Sequence, residues 1–227
     1  MPIGVINRIE SVTYECKSHS GIKNIMRPKV KVCGMTCPDN VNEVVKLGVD
    51  AIGVILHADS PRRVDVERAR EIRAQVPIFV SLVGVFVDCD SDTINSLIDQ
   101  IDLDIIQLHG SESNDFGVAL DRPFIKAIRA RDRKFVSDQI QLYPDARALL
   151  IDPYLKGQHG GTGKQISPEL WPTKVDQKLI LAGGLSPLNI DSSVDDLTPY
   201  AVDINSGVES SPGIKDISLV KQALNLI

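Results

Sequence analysis

Short apolar runs alternate with amphipathic stretches along most of the chain. Eight runs rich in Val, Ile and Leu predict β-strands, at 29–33, 50–56, 78–86, 103–108, 123–127, 147–152, 177–182 and 200–204. Their nearly continuous hydrophobicity is typical of strands that are buried on both faces under helices. The stretches between them have helical spacing and predict helices at 38–47, 65–75, 91–100, 111–120, 132–142, 187–196 and 215–226. Thr36 is expected to cap the first helix, with Pro38 in its first turn.

The alternation of strands and helices predicts a parallel sheet, because every strand–helix–strand connection is then a right-handed crossover. An open doubly wound sheet would have the same alternation. The count of eight strands, and the lack of a G-x-G-x-x-G sequence after the first of them, favour a closed barrel. We therefore predict an α/β fold of the (βα)8 TIM barrel type, a single domain over 29–227. Residues 1–28 are predicted to form an N-terminal extension, in which 9–16 has the pattern of a short strand.

The composition is that of an ordinary globular protein, with 43% hydrophobic and 24% charged residues among 227 and a net charge of −5. This is too apolar for disorder, and the negative charge gives no reason to expect nucleic acid or an anionic membrane as a partner. No apolar run has the roughly 18 to 20 residues of a membrane-spanning helix, and residues 1–28 lack the apolar core of a secretory signal. We expect a cytoplasmic protein whose four cysteines are free thiols.

Two strand ends carry the side chains with the clearest chemistry. In a (βα)8 barrel the carboxyl ends of all strands lie on one face, where the active site is built. Cys33 ends the first strand, and a thiolate is a competent base or nucleophile. Asp152 ends the sixth, where a recessed carboxyl group can hold a proton and serve as a general acid. Taken alone, Cys33 could equally be a small buried hydrophobic residue, and Asp152 could equally cap a turn. Taken together, the two residues indicate an acid–base pair.

Three more polar residues lie within the predicted strands or directly after them. Lys31 points to the same face as Cys33, because strand residues alternate, so it either lowers the pKa of the thiol or forms an ion pair inside the barrel. Gln107 and His109 also share a face. They form either a polar layer beneath the site or direct contacts to a ligand.

Glycine-rich loops follow the last three strands. The sequence GGTGK occupies 160–164 after the sixth strand. Gly183 and Gly184 follow the seventh, and Ser206 and Gly207 follow the eighth. Such loops let backbone N–H groups approach an anion closely, and in these barrels the loops after strands seven and eight are the usual phosphate site. We therefore predict a phosphate-binding site at this edge of the barrel.

An ordered set of motifs resembles the phosphoribosylanthranilate isomerase family, (βα)8-barrel enzymes of tryptophan biosynthesis. The motifs are KVCGMT at 31–36, SPRR at 60–63, GVFV at 84–87, QLHG at 107–110, LLID at 149–152 with GGTGK at 160–164, LAGGL at 181–185 and DINSGVE at 203–209. A single one of these, such as QLHG, would be weak evidence. The complete set is specific, because it occurs in family order and spans roughly 29–227.

The resemblance implies an Amadori rearrangement of N-(5-phosphoribosyl)anthranilate to 1-(2-carboxyphenylamino)-1-deoxyribulose 5-phosphate. By motif, Cys33 is the general base that removes the C2 proton, and Asp152 is the general acid that protonates the ribose ring oxygen. Arg62, or else its neighbour Arg63, holds the anthranilate carboxylate, and Asp203 lies near the ribose hydroxyls. The glycine loops bind the phosphate of this small-molecule substrate. No metal and no organic cofactor are implied, and members of the family are monomers or homodimers.

Two other functions fit part of the pattern. Another phosphosugar barrel enzyme of the indole-glycerol-phosphate synthase type needs a catalytic lysine and glutamates at strand ends, whereas strand six ends in Asp152. The isomerase of the histidine pathway needs an aspartate where Cys33 stands. A non-catalytic phosphoribosyl-binding barrel would keep the glycine loops, but it has no use for Cys33, Asp152 and Arg62 together.

Overall fold

Eight parallel strands close into a barrel, in which each strand pairs with its neighbours in the chain and the eighth pairs with the first. The computed structural model describes residues 27–153, 166–173 and 175–227. The strands are β1 (Lys29–Val32), β2 (Ala51–His57), β3 (Ser81–Phe86), β4 (Ile105–Leu108), β5 (Phe124–Ala130), β6 (Ala148–Pro153), β7 (Leu179–Leu181) and β8 (Ala201–Ile204). The predicted single-domain (βα)8 TIM barrel is confirmed.

Helices connect most of the strands. They are α1 (Pro38–Val45), α2 (Val66–Arg73), α3 (Ser91–Ile101), α4 (Asn114–Val118), α5 (Arg133–Leu142), α6 (Ile190–Leu197) and α7 (Ile217–Asn225). Among the described residues between β6 and β7 there is only a 3-10 turn, Pro168–Leu170. A hairpin of β9 (Glu209–Ser211) and β10 (Ile214–Lys215) lies between β8 and α7. The sequence pattern did not predict this hairpin, which supplies two residues next to the site.

Polar side chains mark where most helices begin. In these helices the capping side chain accepts a hydrogen bond from a backbone N–H of the first turn, and the capping residues are Asp65, Asp90, Ser113, Asp132 and Asp216. The predicted cap of α1 by Thr36 is wrong. Cys37 occupies the cap position without a side-chain bond, and the Thr36 hydroxyl donates to the carbonyl of Gly213 at 3.0 Å. A cap is less needed here, because Pro38 at the start of α1 has no N–H to satisfy.

The core has two parts, because strand residues alternate between the barrel interior and the helix side. The larger cluster packs between strands and helices, and Val30 and Val32 of β1 belong to it. A smaller cluster belongs to the later strands and consists of Ile125, Ala127, Ala148, Leu150, Ile180, Ala182 and Ala201. Lys31 and Asp203 form a buried ion pair between β1 and β8, at the level just below the strand ends. This packed interior gives the residues at the barrel mouth a rigid base.

Some sequence predictions fall outside the described residues. These are the N-terminal extension with its short strand at 9–16, and the GGTGK loop at 160–164. The boundary between 1–28 and the barrel therefore stays a prediction. Within the described part of the chain, no helix combines the length and apolar character needed to cross a bilayer. The cysteines described there, Cys33, Cys37 and Cys89, are free thiols as predicted.

Candidate active site

A cavity of about 230 Å³ opens at the carboxyl ends of the strands. All the predicted site residues line it, namely Cys33, Arg62, Asp152, Gly183, Gly184, Asp203, Ser206 and Gly207. They come from the ends of β1, β6 and β8 and from the loops after β2, β7 and β8. Arg63 is exposed and is absent from the lining, so Arg62 is the arginine of this pair that faces the cavity.

The thiol of Cys33 is buried beside a charged pair. The Lys31 ammonium donates to both carboxylate oxygens of Asp203, at 2.9 and 3.0 Å. Both expectations for Lys31 are met, because it forms this ion pair and also contacts the thiol. Burial raises the pKa of Cys33 above its usual value, and the nearby lysine ammoniums offset only part of that rise. The thiol therefore keeps its proton at neutral pH.

The carboxyl group of Asp152 lies on the cavity wall next to an imidazole. His109 Nε2 is 3.7 Å from Asp152 Oδ2, close enough for attraction but too long for a direct hydrogen bond. Gln107 Nε2 lies 3.1 Å from His109 Nδ1. If Nδ1 accepts in this contact, the ring proton is on Nε2 and faces the aspartate. The sequence left two alternatives for these residues, a polar layer beneath the site or contact with a ligand. Gln107 belongs to the buried layer, whereas His109 lines the cavity, where a ligand could reach it.

Arg62 lies in a network of charges that the sequence did not predict. Its Nε donates to Glu209 Oε1 at 2.8 Å, and its Nη2 donates to Oε2 at 2.6 Å. Lys215 Nζ also donates to Glu209 Oε1, at 2.7 Å. Burial would raise the pKa of Glu209, but the hydrogen bonds from Arg62 and Lys215 lower it to about 2. The glutamate closes the DINSGVE motif, so its place in that motif was the available signal for it.

The two predicted phosphate loops pack against each other. A side-chain carbon on Gly207, after β8, would overlap the carbonyl oxygen of Leu185 in the loop after β7, so glycine permits this close approach. Asn189 braces the first loop: its Oδ1 accepts from the Ser186 N–H, and its Nδ2 donates to the Gly184 carbonyl, both at 2.9 Å. Asn189 lies outside every motif singled out in the sequence. The paired loops form one wall of the cavity.

Arg129 is a further cavity residue that sequence reasoning did not select. It lies near the end of β5, opposite Asp152 in the pairing with β6, and it lines the cavity. The available signal was its position, because a charged residue at the end of an otherwise apolar strand points toward the mouth of a barrel. With Arg62, it places two guanidinium groups around a cavity suited to an anionic ligand.

Comparison with known proteins agrees with this geometry. The family model of N-(5'-phosphoribosyl)anthranilate (PRA) isomerase matches residues 30–225. The isomerase of Pseudomonas aeruginosa is 38% identical over 199 residues, which is 88% of this chain and 94% of the relative. The isomerase of Stutzerimonas stutzeri is 41% identical over 186 residues, 82% of this chain and 90% of the relative.

Solved structures give the same result. The isomerase of Thermotoga maritima superposes with a TM-score of 0.82 at 30% identity, covering 88% of this chain and 98% of that one. Another isomerase structure, with a TM-score of 0.78 at 30% identity over 88% of this chain and 97% of its own, is a complex with reduced 1-(o-carboxyphenylamino)-1-deoxyribulose 5-phosphate. This chain therefore belongs to the N-(5'-phosphoribosyl)anthranilate isomerase family of tryptophan biosynthesis.

Proposed function

We propose that Cys33 and Asp152 are the general base and general acid with which this chain isomerises N-(5-phosphoribosyl)anthranilate. The observation that carries the proposal is that both groups line one cavity while coming from well-separated strands, β1 and β6. A single five-carbon sugar between them would present its ring oxygen to one group and its C2–H to the other. Proton transfer at both positions is what an aldose–ketose rearrangement requires.

The reaction begins with two proton transfers. Asp152 donates its proton to the ring oxygen, the bond between C1 and this oxygen breaks, and the nitrogen lone pair forms a C1=N iminium group. The thiolate of Cys33 removes the C2 proton, and the electron pair of that bond moves toward the iminium to give an enolamine. The enolamine then gains a proton at C1 and loses the proton of its C2 hydroxyl, which gives the ketone product. Lys31, in contact with the thiol, favours the thiolate.

The substrate would be held by its two anionic groups, which lie at its opposite ends. The loops that contain Gly183, Gly184, Ser206 and Gly207 are suited to the phosphate, because glycine lets backbone N–H groups approach it. Arg62 is suited to the anthranilate carboxylate, because a planar guanidinium binds carboxylate oxygens directionally. Asp203 lies on the cavity wall beside Lys31, where a ribose hydroxyl can reach it.

The test is a fluorescence assay of turnover with Cys33→Ser and Asp152→Asn. We expect both variants to lose most of their turnover and to bind reduced 1-(o-carboxyphenylamino)-1-deoxyribulose 5-phosphate with nearly unchanged affinity, because each removes a proton transfer rather than a binding contact. Cys89→Ser and Asp138→Asn, which alter a thiol and a carboxylate outside the cavity lining, serve as matched controls. Unchanged turnover in either site variant would overturn the role of that residue.

We further propose that the chain forms a homodimer. An isomerase of Thermotoga maritima is described as dimeric. In this chain Ile78 and Phe79, before β3, are 89% and 93% exposed. They lie at the amino ends of the strands. A second cavity of about 1060 Å³ at this end is lined by apolar and charged side chains, among them Tyr200 and Arg122. A second copy of the chain would cover the exposed apolar pair Ile78 and Phe79.

A further inference from the structure

The direction of the Arg62 guanidinium is fixed by the hairpin after β8. Glu209 of β9 engages both Nε and Nη2 of Arg62, and the two side chains are 6% and 15% exposed. The remaining nitrogen, Nη1, has no hydrogen-bond partner among the described residues. Because a bidentate pair constrains the guanidinium plane, this nitrogen has a defined orientation at the cavity wall.

Lys215 of β10 holds the glutamate from the other side. Its side chain is 0% exposed, which would be costly for an ammonium without several acceptors. The acceptors are Glu209 Oε1 at 2.7 Å, Asn205 Oδ1 at 2.7 Å and the Asn205 carbonyl at 3.3 Å. Asn205 immediately precedes the phosphate loop residue Ser206 and itself lines the cavity. One buried ammonium therefore connects the Arg62–Glu209 pair to the phosphate loop.

Two further contacts fix this network relative to the base. Asn40 of α1 makes a pair of hydrogen bonds with the backbone of Lys215, at 2.7 and 3.0 Å. Gly34, directly after Cys33, lies so close that a side-chain carbon there would be 2.7 Å from Arg62 Cδ and 2.8 Å from Asn205 Oδ1. The turn that carries the thiol therefore packs against both the arginine and the phosphate loop.

We propose that Glu209 and Lys215 are positioning residues for the two anionic ends of the substrate. Glu209 aims Arg62 at the anthranilate carboxylate, and Lys215 holds that pair at a fixed separation from the phosphate loop through Asn205. This inference rests on the proposed function, because it takes Arg62 as the ligand of the carboxylate. Neither residue lines the cavity, so both act through a neighbour rather than on the reacting atoms.

The test is a double-mutant cycle between Arg62→Ala and Glu209→Gln. Binding of reduced 1-(o-carboxyphenylamino)-1-deoxyribulose 5-phosphate is titrated by the fluorescence of its carboxyphenylamino group. We expect Glu209→Gln to weaken binding about tenfold, because the variant loses the charged hydrogen bonds that orient Arg62, and losing a hydrogen bond to a charged group has an effect of this size. In the Arg62→Ala background the same change should weaken binding no further, because Glu209 acts through Arg62. In turnover, KM should rise more than kcat falls.

The control is Glu71→Gln, which removes the carboxylate of an exposed pair with Arg68 and should leave the affinity unchanged. Equal affinity of wild type and Glu209→Gln would overturn the inference, as would an equal loss in both backgrounds. Absence of binding by the wild type would instead overturn the proposed function. Should Glu209→Gln lose its cooperative thermal transition, Glu209→Asp replaces it. The shorter side chain of aspartate cannot reach both Nε and Nη2 of Arg62, so comparing its effect on affinity in the wild-type and Arg62→Ala backgrounds tests the same inference.

Discussion

At the scale of single residues, the surroundings of Cys33 decide how the thiol can act. Burial raises its pKa, the ammoniums of Lys31 and Lys215 lower it, and the carboxylate of Asp203 raises it again. Burial is the largest of these effects. The thiol is thus a weaker acid than a solvent-exposed cysteine, although the lysine next to it is placed to favour the thiolate.

The first prediction concerns the pH dependence of the thiol. The wild-type reaction also needs a protonated Asp152, so the thiolate is followed in Asp152→Asn, where this acid is absent. The residual kcat/KM of this variant should rise with pH from neutrality to beyond 9.0, because burial raises the pKa of the Cys33 thiol above that value and kcat/KM reports groups of the free enzyme. The measurement is a pH profile of the fluorescence assay, and a plateau reached well below 9.0 would contradict the raised pKa.

The second prediction concerns stability in acid. The pKa of Glu209 falls from 4.5 to about 2 on folding, so its contribution to stability is complete above 4.5 and is lost as the pH falls toward 2. In Glu209→Gln this group no longer titrates, so the free energy of unfolding should decline less across that window than in wild type. Urea midpoints measured at several pH values check it. Parallel declines in the two proteins would be evidence against the lowered pKa.

At the scale of elements, a buried ion pair fixes the loop after β4 to the strand beside it. Lys126 of β5 donates to Glu112 at 2.8 Å and to the Gly110 carbonyl at 2.6 Å. Glu112 also accepts from the backbone N–H groups of Asp88 and Gly110. The loops after β3 and β4 are therefore held together just beyond His109, which lines the cavity.

The third prediction tests this pair. Lys126→Met leaves the Glu112 carboxylate buried without its ammonium, and the expected loss in the free energy of unfolding is about 3 to 5 kcal/mol. The matched control is Lys134→Met, which removes the lysine of an exposed pair with Asp138 and should leave the free energy of unfolding nearly unchanged, because solvent screens that pair. Urea unfolding measures both changes. Equal losses in the two variants would show that the buried pair contributes no more to the free energy of unfolding than the exposed pair.

At the scale of the whole molecule, the two ends of the barrel differ in what they expose. The carboxyl ends of the strands carry the cavity that Cys33 and Asp152 line. The amino ends carry the second cavity, with Ile78 and Phe79 exposed before β3 at that end. A homodimer formed through the amino ends would therefore leave the mouth of the first cavity open.

The fourth prediction tests the proposed homodimer. Phe79→Glu places a charge in the exposed apolar pair Ile78 and Phe79 and should reduce the molar mass measured by light scattering from that of a dimer to that of a monomer. The matched control is Leu188→Glu, because Leu188 is 94% exposed but lies in the loop after β7, at the carboxyl ends of the strands. It should leave the mass unchanged. A wild-type chain that is already monomeric at high concentration would refute the dimer.

The sequence predicted the strands within about three residues of their observed bounds. The largest differences are at the start of β3 and at the end of β5, which was predicted to end at 127 and ends at Ala130. The third strand was predicted from 78, yet β3 begins at Ser81, because the apolar pair Ile78 and Phe79 extends the run without being buried. The fourth helix was predicted at 111–120 and is shorter, because it begins only after its cap at Ser113. Hydrophobicity alone does not distinguish a buried apolar residue from an exposed one.

The sequence by itself determined the barrel and the identity of several residues at its mouth, including Cys33 and Asp152. Alternating apolar runs and helical spacings are local patterns, and the ends of parallel strands share one face. Only the tertiary structure decided how those residues interact. Three features depend on distances and burial between segments far apart in the chain. They are the hydrogen bonds between Glu209 and Arg62, the connection through Lys215 and the raised pKa of Cys33. Such contacts leave no periodic signal in a single sequence, because they are set by how the loops and the hairpin pack on the closed barrel.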